Sequence, residues 1–242
     1  MLIDITCETH GNNKLELSRN EEASYHCRKD APHALDDWIK NELKCPVCSK
    51  EKEIELFKKI SGIPLRFQNC SFENFSKTKE KEIVLDYVKN FPDRQKSGTS
   101  LVFCGTTGTG KTHLSSALCF YLIENYQTSV LYTKAFDVLR EVKETYNKSS
   151  KKTFSDVQSK HAQIDLLIID EVGVQFGTET EKQILFEIIN ERYENLRPTI
   201  LVTNLSLTNL KEFAGDRVID RMKDNGGKIV VFSGESFRGK KQ

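Results

Sequence analysis

Five short runs of uninterrupted apolar residues punctuate most of the chain: Leu101-Val102-Phe103-Cys104, Val130-Leu131-Tyr132, Leu166-Leu167-Ile168-Ile169, Ile200-Leu201-Val202 and Ile229-Val230-Val231-Phe232. Runs this short with no polar alternation suit strands buried on both faces, as in a parallel sheet covered by helices. Between them the period changes. Leu114 to Tyr126, Ala135 to Tyr146 and Glu181 to Tyr193 are amphipathic and fit crossover helices lying on the two faces of that sheet. Ahead of the first run, Ile83, Val84, Tyr87, Val88 and Phe91 recur at helical spacing, and Pro92 is expected to stop that helix. The expected fold class is α/β, a three-layer domain around a parallel sheet.

The amino-terminal part has a different texture. From Met1 to about Lys52 the residues are polar, without long apolar periods, and they include four of the seven cysteines and three of the five histidines. So little apolar material cannot build an independent core, and a segment this small normally needs a metal or a disulfide to fold. From Glu53 to Phe75 the chain reads as a connector, broken by Gly62 and Pro64. The organisation expected is a small module over residues 1–52, a linker leading into the nucleotide-binding region over 53–75, and the α/β domain over 76–242. Apart from the polar loop Asn147 to Lys152 there is no low-complexity tract, and no internal repeat.

Chemistry enters at Gly105-Thr106-Thr107-Gly108-Thr109-Gly110-Lys111-Thr112, which fits G-x-x-x-x-G-K-[ST] between an expected strand and an expected helix. Glycines let such a loop aim successive N–H groups at phosphate oxygens, and the following helix adds its positive end. Lys111 is then placed to reach the β- and γ-phosphates of ATP, and Thr112 to offer a hydroxyl to magnesium. A second signature follows the third apolar run, where Ile168-Ile169 leads into Asp170-Glu171. A carboxylate at the end of a buried strand faces the crevice where such sheets bind ligands, so Asp170 suits the metal and Glu171 suits a general base. Adjacent acidic residues favour hydrolysis over transfer to a small acceptor. Asn204, at the end of the next run, is a candidate sensor of the γ-phosphate; an ordinary turn residue is the alternative.

Charge narrows the picture little. Lys and Arg total 36 against 35 Asp and Glu, a formal net charge of +1, so any contact with nucleic acid must come from local patches. No basic start followed by a long apolar run opens the sequence, and no stretch has the ~20 apolar residues of a membrane span, so a cytoplasmic location is expected. In a reducing compartment closely spaced cysteines read as metal ligands. Cys7-Glu8-Thr9-His10 and Cys45-Pro46-Val47-Cys48 supply two knuckles, together a Cys₃His set suited to a closed tetrahedral zinc site. Cys27 or His26 is a possible substitute for one ligand. Cys70, Cys104 and Cys119 fall in or beside apolar elements and read as buried thiols.

Taken together, Ile63-Pro64-Leu65-Arg66-Phe67, Phe72-Glu73-Asn74-Phe75, the phosphate loop, Ile168 to Gly173, Thr203-Asn204-Leu205 and Gly215-Asp216-Arg217-Val218-Ile219-Asp220-Arg221-Met222 resemble the DnaC-type helicase loaders and the related transposition-helper ATPases of the AAA+ group. The resemblance covers most of the chain. It implies an AAA+ P-loop ATPase that assembles with ATP at subunit boundaries and assists a replicative hexameric helicase onto single-stranded DNA. It further implies that Arg221 resembles an arginine finger reaching a neighbouring subunit, with Arg217 one turn earlier, and that Arg238 resembles a second sensor. Such roles make physical sense, because a guanidinium offered in trans makes hydrolysis depend on assembly. Surface pairing with Asp216, Asp220 or Asp224 is the alternative for both. A zinc module at the amino terminus resembles only some loaders, so the helicase-facing surface does not carry over from the family.

For single-stranded DNA the residues offer only weak candidates, Tyr132-Thr133-Lys134 with Phe136, and the tail Arg238-Gly239-Lys240-Lys241. Aromatics with nearby lysines can stack bases and neutralise phosphates. Core aromatics and a solvated end explain them equally well. Two other readings compete with a loader: a helper that coats duplex DNA in transposition, and a nucleotide-gated adaptor with little hydrolysis.

Overall fold

In the computed structural model, which describes residues 1–7, 9–19, 21–22, 45–147, 149–174 and 178–237, the chain forms two compact units, Met1–Leu56 and Phe57–Gln242. The first holds an antiparallel hairpin of β1 (Leu2–Cys7) and β2 (Gly11–Glu16), with Cys7 opposite Gly11 at the turn. Alternation sends Ile3 and Ile5 to one face, where they meet Leu17 under partial cover from Leu15 and Cys45. Helix α1 (Pro46–Ile60) starts directly after Cys45, with proline in the first turn, where its missing N–H costs nothing.

Because α1 runs on to Ile60, the expected connector over 53–75 begins as helix, and its remainder is packed. Ile63, Phe72 and Phe75 are buried, and the N–H of Tyr132 donates to the Ser61 carbonyl at 2.7 Å. Next come α2 (Lys79–Lys89), capped by Thr78, and the short α3 (Phe91–Lys96). Pro92 was expected to stop a helix. It instead opens α3 from its first turn, the place where a ring fixed at helical φ is tolerated.

All five apolar runs become strands: β3 (Leu101–Gly105), β4 (Val130–Lys134), β5 (Leu166–Asp170), β6 (Thr199–Val202) and β7 (Lys228–Phe232). They form one parallel sheet in the order β4-β5-β6-β3-β7. Between them run α4 (Lys111–Tyr126), α5 (Ala135–Thr145), α6 (Phe154–Gln163), α7 (Glu179–Glu194), α8 (Leu207–Ala214) and α9 (Asp216–Lys223). Val102, Leu167, Ile169 and Leu201 join the apolar faces of α5 to α9 in one core cluster. Their neighbours Leu101, Phe103, Leu166, Ile168 and Ile200 are also fully buried, so both faces of the sheet are covered. Capping boxes at Thr153/Asp156 and Thr178/Glu181 fix where α6 and α7 begin.

Among the buried polar residues, Arg192 is the largest. Arg192 of α7 is 0% exposed, and its guanidinium donates to the carbonyls of His161, Ala162, Ile164, Asp165 and Pro198 and to Thr199 Oγ1, at 2.6–3.2 Å. Burial lowers its pKa to about 9. The cation sits at the carboxyl end of α6, where the helix dipole favours positive charge, and it ties α7 to the start of β6.

Candidate nucleotide site and metal centre

Strand order decides what meets at the site. With β5, β6 and β3 adjacent and parallel, their carboxyl ends bring Asp170, Asn204 and the loop Gly105 to Thr112 to one edge of the sheet. They line a cleft of about 750 Å³ together with Arg66, Phe67, Thr107, Gly108, Gly110, Lys111, Glu171 and Phe237. That volume lies within the usual range for small-molecule sites.

The loop leaves β3 at Gly105 and enters α4 at Lys111, whose helix has no side-chain cap at its amino terminus, so its first N–H groups suit an anion. Gly108 adopts φ +85°, and a Cβ there would lie 2.1 Å from Ser236 Oγ. The close approach is real backbone contact as well, since Phe237 N–H donates to the Gly108 carbonyl at 2.8 Å. Thr109 braces the loop through Oγ1 to the Thr106 carbonyl at 2.8 Å. Lys111 is buried, and among its partners are the carbonyls of Gly105 and Thr106 at 2.8 and 2.6 Å.

Across the cleft, Thr112 Oγ1 donates to Asp170 Oδ2 at 3.2 Å, which pairs the two residues expected to hold magnesium. Asp170 is further fixed by the Glu171 N–H on Oδ1 at 2.7 Å and by the Tyr132 hydroxyl on Oδ2. Glu171 has φ +58°, a left-handed conformation that costs a non-glycine residue ~1–3 kcal/mol and that collects at functional sites. Its Oε1 accepts from Lys134 Nζ at 3.0 Å, with both side chains nearly half exposed. Asn204 follows β6 and is exposed on the cleft wall.

Arg66, Phe67 and Cys70, ahead of β3, complete the cleft, and contacts behind them hold its wall. His113 Nε2 lies 2.8 Å from Asn74 Oδ1, its ring 5.2 Å from that of Phe75, which meets Phe237 at 6.1 Å. Arg66 to Phe75 stands well ahead of the glycine-rich loop in sequence, and only the fold brings the two together.

The IstB-like ATP binding protein family matches residues 67–242. The chain belongs to that family. Among its relatives, the replicative helicase loader DnaC of Buchnera aphidicola subsp. Baizongia pistaciae is 37% identical over 185 residues, which is 74% of each chain. DnaC of Escherichia coli K12 is 33% identical over 183 residues, covering 74% of this chain and 73% of that one. A crystal structure of the DnaC helicase loader shares the fold with a TM-score of 0.61 at 22% identity, over 70% of this chain and all of that one. The IstB-like domain is thus an α/β ATP-binding domain of AAA+ type.

The arginines expected to act in trans both lie on α9 of the IstB-like domain, and neither lines the cleft. Arg221 is held within its own chain. Its Nε donates to Asn190 Oδ1 at 2.7 Å, Nη1 donates to the Arg217 carbonyl at 3.0 Å, and the guanidinium lies 5.0 and 5.5 Å from the rings of Phe186 and Tyr193. Arg217 is exposed in a groove with Phe186 and Phe213. Arg238, like Cys27, His26 and the tail lysines, lies outside the described residues. Of the candidates for DNA contact, Tyr132 is only 3% exposed and so cannot stack a base, and Lys134 pairs with Glu171, while Phe136 stays exposed.

A second cluster lies outside the family match. Cys7, His10, Cys45 and Cys48 place their ligand atoms within 4.8 Å of one another. Cys7 Sγ is 3.6 Å from Cys48 Sγ, and His10 Nδ1 is 3.8, 4.0 and 3.3 Å from the sulfurs of Cys7, Cys45 and Cys48. Tetrahedral zinc, with bonds of ~2.3 Å to sulfur and ~2.0 Å to nitrogen, requires ligand separations of roughly 3.5–3.8 Å, and the residues fit. Backbone N–H groups of His10 and Thr9 lower the Cys7 thiol to about 6. Its hydrogen bond with Cys7, with burial and the neighbouring Cys45 adding to it, raises Cys48 to about 11. Glu51, one turn after Cys48, accepts from His10 Nε2 at 3.2 Å, the outer contact that orients a ligating imidazole.

Proposed function

We propose that this IstB-like protein is an ATPase that helps place a replicative hexameric helicase on single-stranded DNA. The observation that carries the reading is its identity with replicative helicase loaders over about three quarters of both chains. In the cleft, the N–H groups of the Gly105 to Thr112 loop cradle the phosphates and Lys111 neutralises the β- and γ-oxygens. Thr112 and Asp170 would hold magnesium, which would supply charge neutralisation to the phosphates. Glu171 takes the proton of the attacking water, and Asn204 orients that water against the γ-phosphate. An adaptor without hydrolysis would have no use for a carboxylate held in a left-handed turn beside the metal ligand. The Cys7, His10, Cys45 and Cys48 site holds a structural zinc ion, and its small unit faces the helicase. The protein works in the cytoplasm.

An arginine from a neighbouring subunit completes the site. Arg221 is occupied by Asn190, Phe186 and Tyr193, whereas the exposed Arg217 has reach, so Arg217 is the residue offered outward and Arg221 braces α9. Mixing separates the two arginines. Lys111→Ala supplies a dead pocket with intact arginines; Arg217→Ala and Arg221→Ala supply live pockets lacking one arginine each. An arginine finger contributes on the order of 10³–10⁵ in rate, so Arg217→Ala alone should be nearly inactive, as should the dead-pocket Lys111→Ala, whereas Arg221→Ala alone should keep most of its turnover. Recovery with Arg217→Ala alone supports this assignment; recovery with Arg221→Ala alone moves the finger there. Helicase and single-stranded DNA test the larger reading. ATP-dependent capture of helicase on single strands supports a loader, whereas duplex-stimulated turnover without helicase binding points to a transposition helper.

A further inference from the structure

We infer that Tyr132 is a positioning residue for magnesium, holding Asp170 in place from the neighbouring strand; the inference rests on the metal role proposed for Asp170. Tyr132 lies on the edge strand β4, in register with Ile168 and two residues before the partner of Asp170. The ring is 3% exposed, and phenylalanine would fill the same space without bringing a hydroxyl into the core. A buried hydroxyl is unfavourable unless it is hydrogen-bonded. This one donates to Asp170 Oδ2, the oxygen that also accepts from Thr112 Oγ1 at 3.2 Å. With Glu171 N–H on Oδ1 at 2.7 Å, both carboxylate oxygens are held by donors from three elements.

The backbone of Tyr132 is itself pinned from the outer edge of the sheet. Its N–H donates to the carbonyl of the fully buried Ser61 at 2.7 Å. Gly62, at φ +73°, lies so close that a Cβ would come 2.4 Å from the Tyr132 carbonyl oxygen. The segment that ends α1 therefore sets the position of β4 here, and β4 sets the height of the hydroxyl under the metal-holding carboxylate. Removing such an outer contact from a metal ligand typically costs 10–100-fold in metal affinity.

The test compares binding of a non-hydrolysable ATP analogue to the full chain in EDTA and across a magnesium titration. Tyr132→Phe should leave the EDTA affinity and the melting temperature unchanged and raise the magnesium concentration at half-effect about tenfold. A wild-type magnesium midpoint in that variant would overturn the inference. If Asp170→Asn titrates like wild type, the metal role of Asp170 fails and this proposal fails with it. A reading free of substitution uses protein labelled with ¹³C at tyrosine Cζ. Among its seven tyrosines, one resonance should move when magnesium is added to the nucleotide complex, and none moving would also overturn the inference.

Discussion

The nucleotide-binding unit buries a five-stranded parallel sheet between helices, whereas the amino-terminal unit buries Ile3, Ile5 and Leu17 beneath one hairpin. A fully buried aliphatic side chain contributes ~1.5–3 kcal/mol, and the three among the described residues of this unit cannot by themselves offset the conformational entropy of the residues around them. Hydrophobic burial organises the first; in the second, the zinc proposed at Cys7, His10, Cys45 and Cys48 would supply what burial among the described residues does not. The contrast teaches that the two units should fail in different ways and independently.

The largest effect expected is at the metal. Cys45→Ser removes one of four ligands, and structural zinc contributes roughly 10–16 kcal/mol of apparent binding free energy, so the amino-terminal unit should lose zinc and unfold. Nucleotide affinity should stay at the wild-type value, because the Phe57–Gln242 unit has its own core. Metal content by mass spectrometry and nucleotide titration on the same sample check both halves. Equal loss of both functions would erase the comparison.

Next comes the polar tie inside the larger core. Arg192→Met should destabilise the nucleotide-binding unit by about 3–5 kcal/mol, since it leaves several buried carbonyls without a donor. Arg192→Lys should recover little of this, because an ammonium cannot span the same fan of acceptors. Denaturant unfolding followed in the larger unit measures the loss, and zinc content should not change. The smallest effect is at Glu51. Glu51→Gln should weaken zinc retention against a chelator by about 10–100-fold while the folded unit persists at saturating zinc. Retention equal to wild type would make the His10 to Glu51 contact a surface pair.

Periodicity and motif carried far in the larger unit and less far in the smaller one. The five strands were legible because burial on both faces leaves no polar alternation to blur them, and the phosphate loop because its backbone geometry demands its glycines. Arg192 was not legible: in sequence it belongs to the polar side of an amphipathic segment, and only the convergence of α6, α7 and β6 reveals five carbonyls waiting for a donor. Tyr132 read as a possible base-stacking residue, because an apolar run does not say which neighbour a hydroxyl will find. The hairpin of the smaller unit was missed for a related reason, since Gly11 to Glu16 is polar on nearly every residue and pairs through its backbone. The spacing of the cysteines and His10 brought the four ligands together in sequence, and they meet in space.

If the edge formed by β3, β5 and β6 hydrolyses ATP with Glu171 as the base, single-turnover hydrolysis by Glu171→Gln should reveal it. Asp170, Thr112 and Lys111 are untouched by that substitution, so magnesium-dependent ATP binding should match wild type. Loss of a general base typically costs 10²–10⁴-fold, and the cleavage rate should fall by about that much. A variant that binds ATP normally and cleaves it at the wild-type rate would rule out Glu171 as the base.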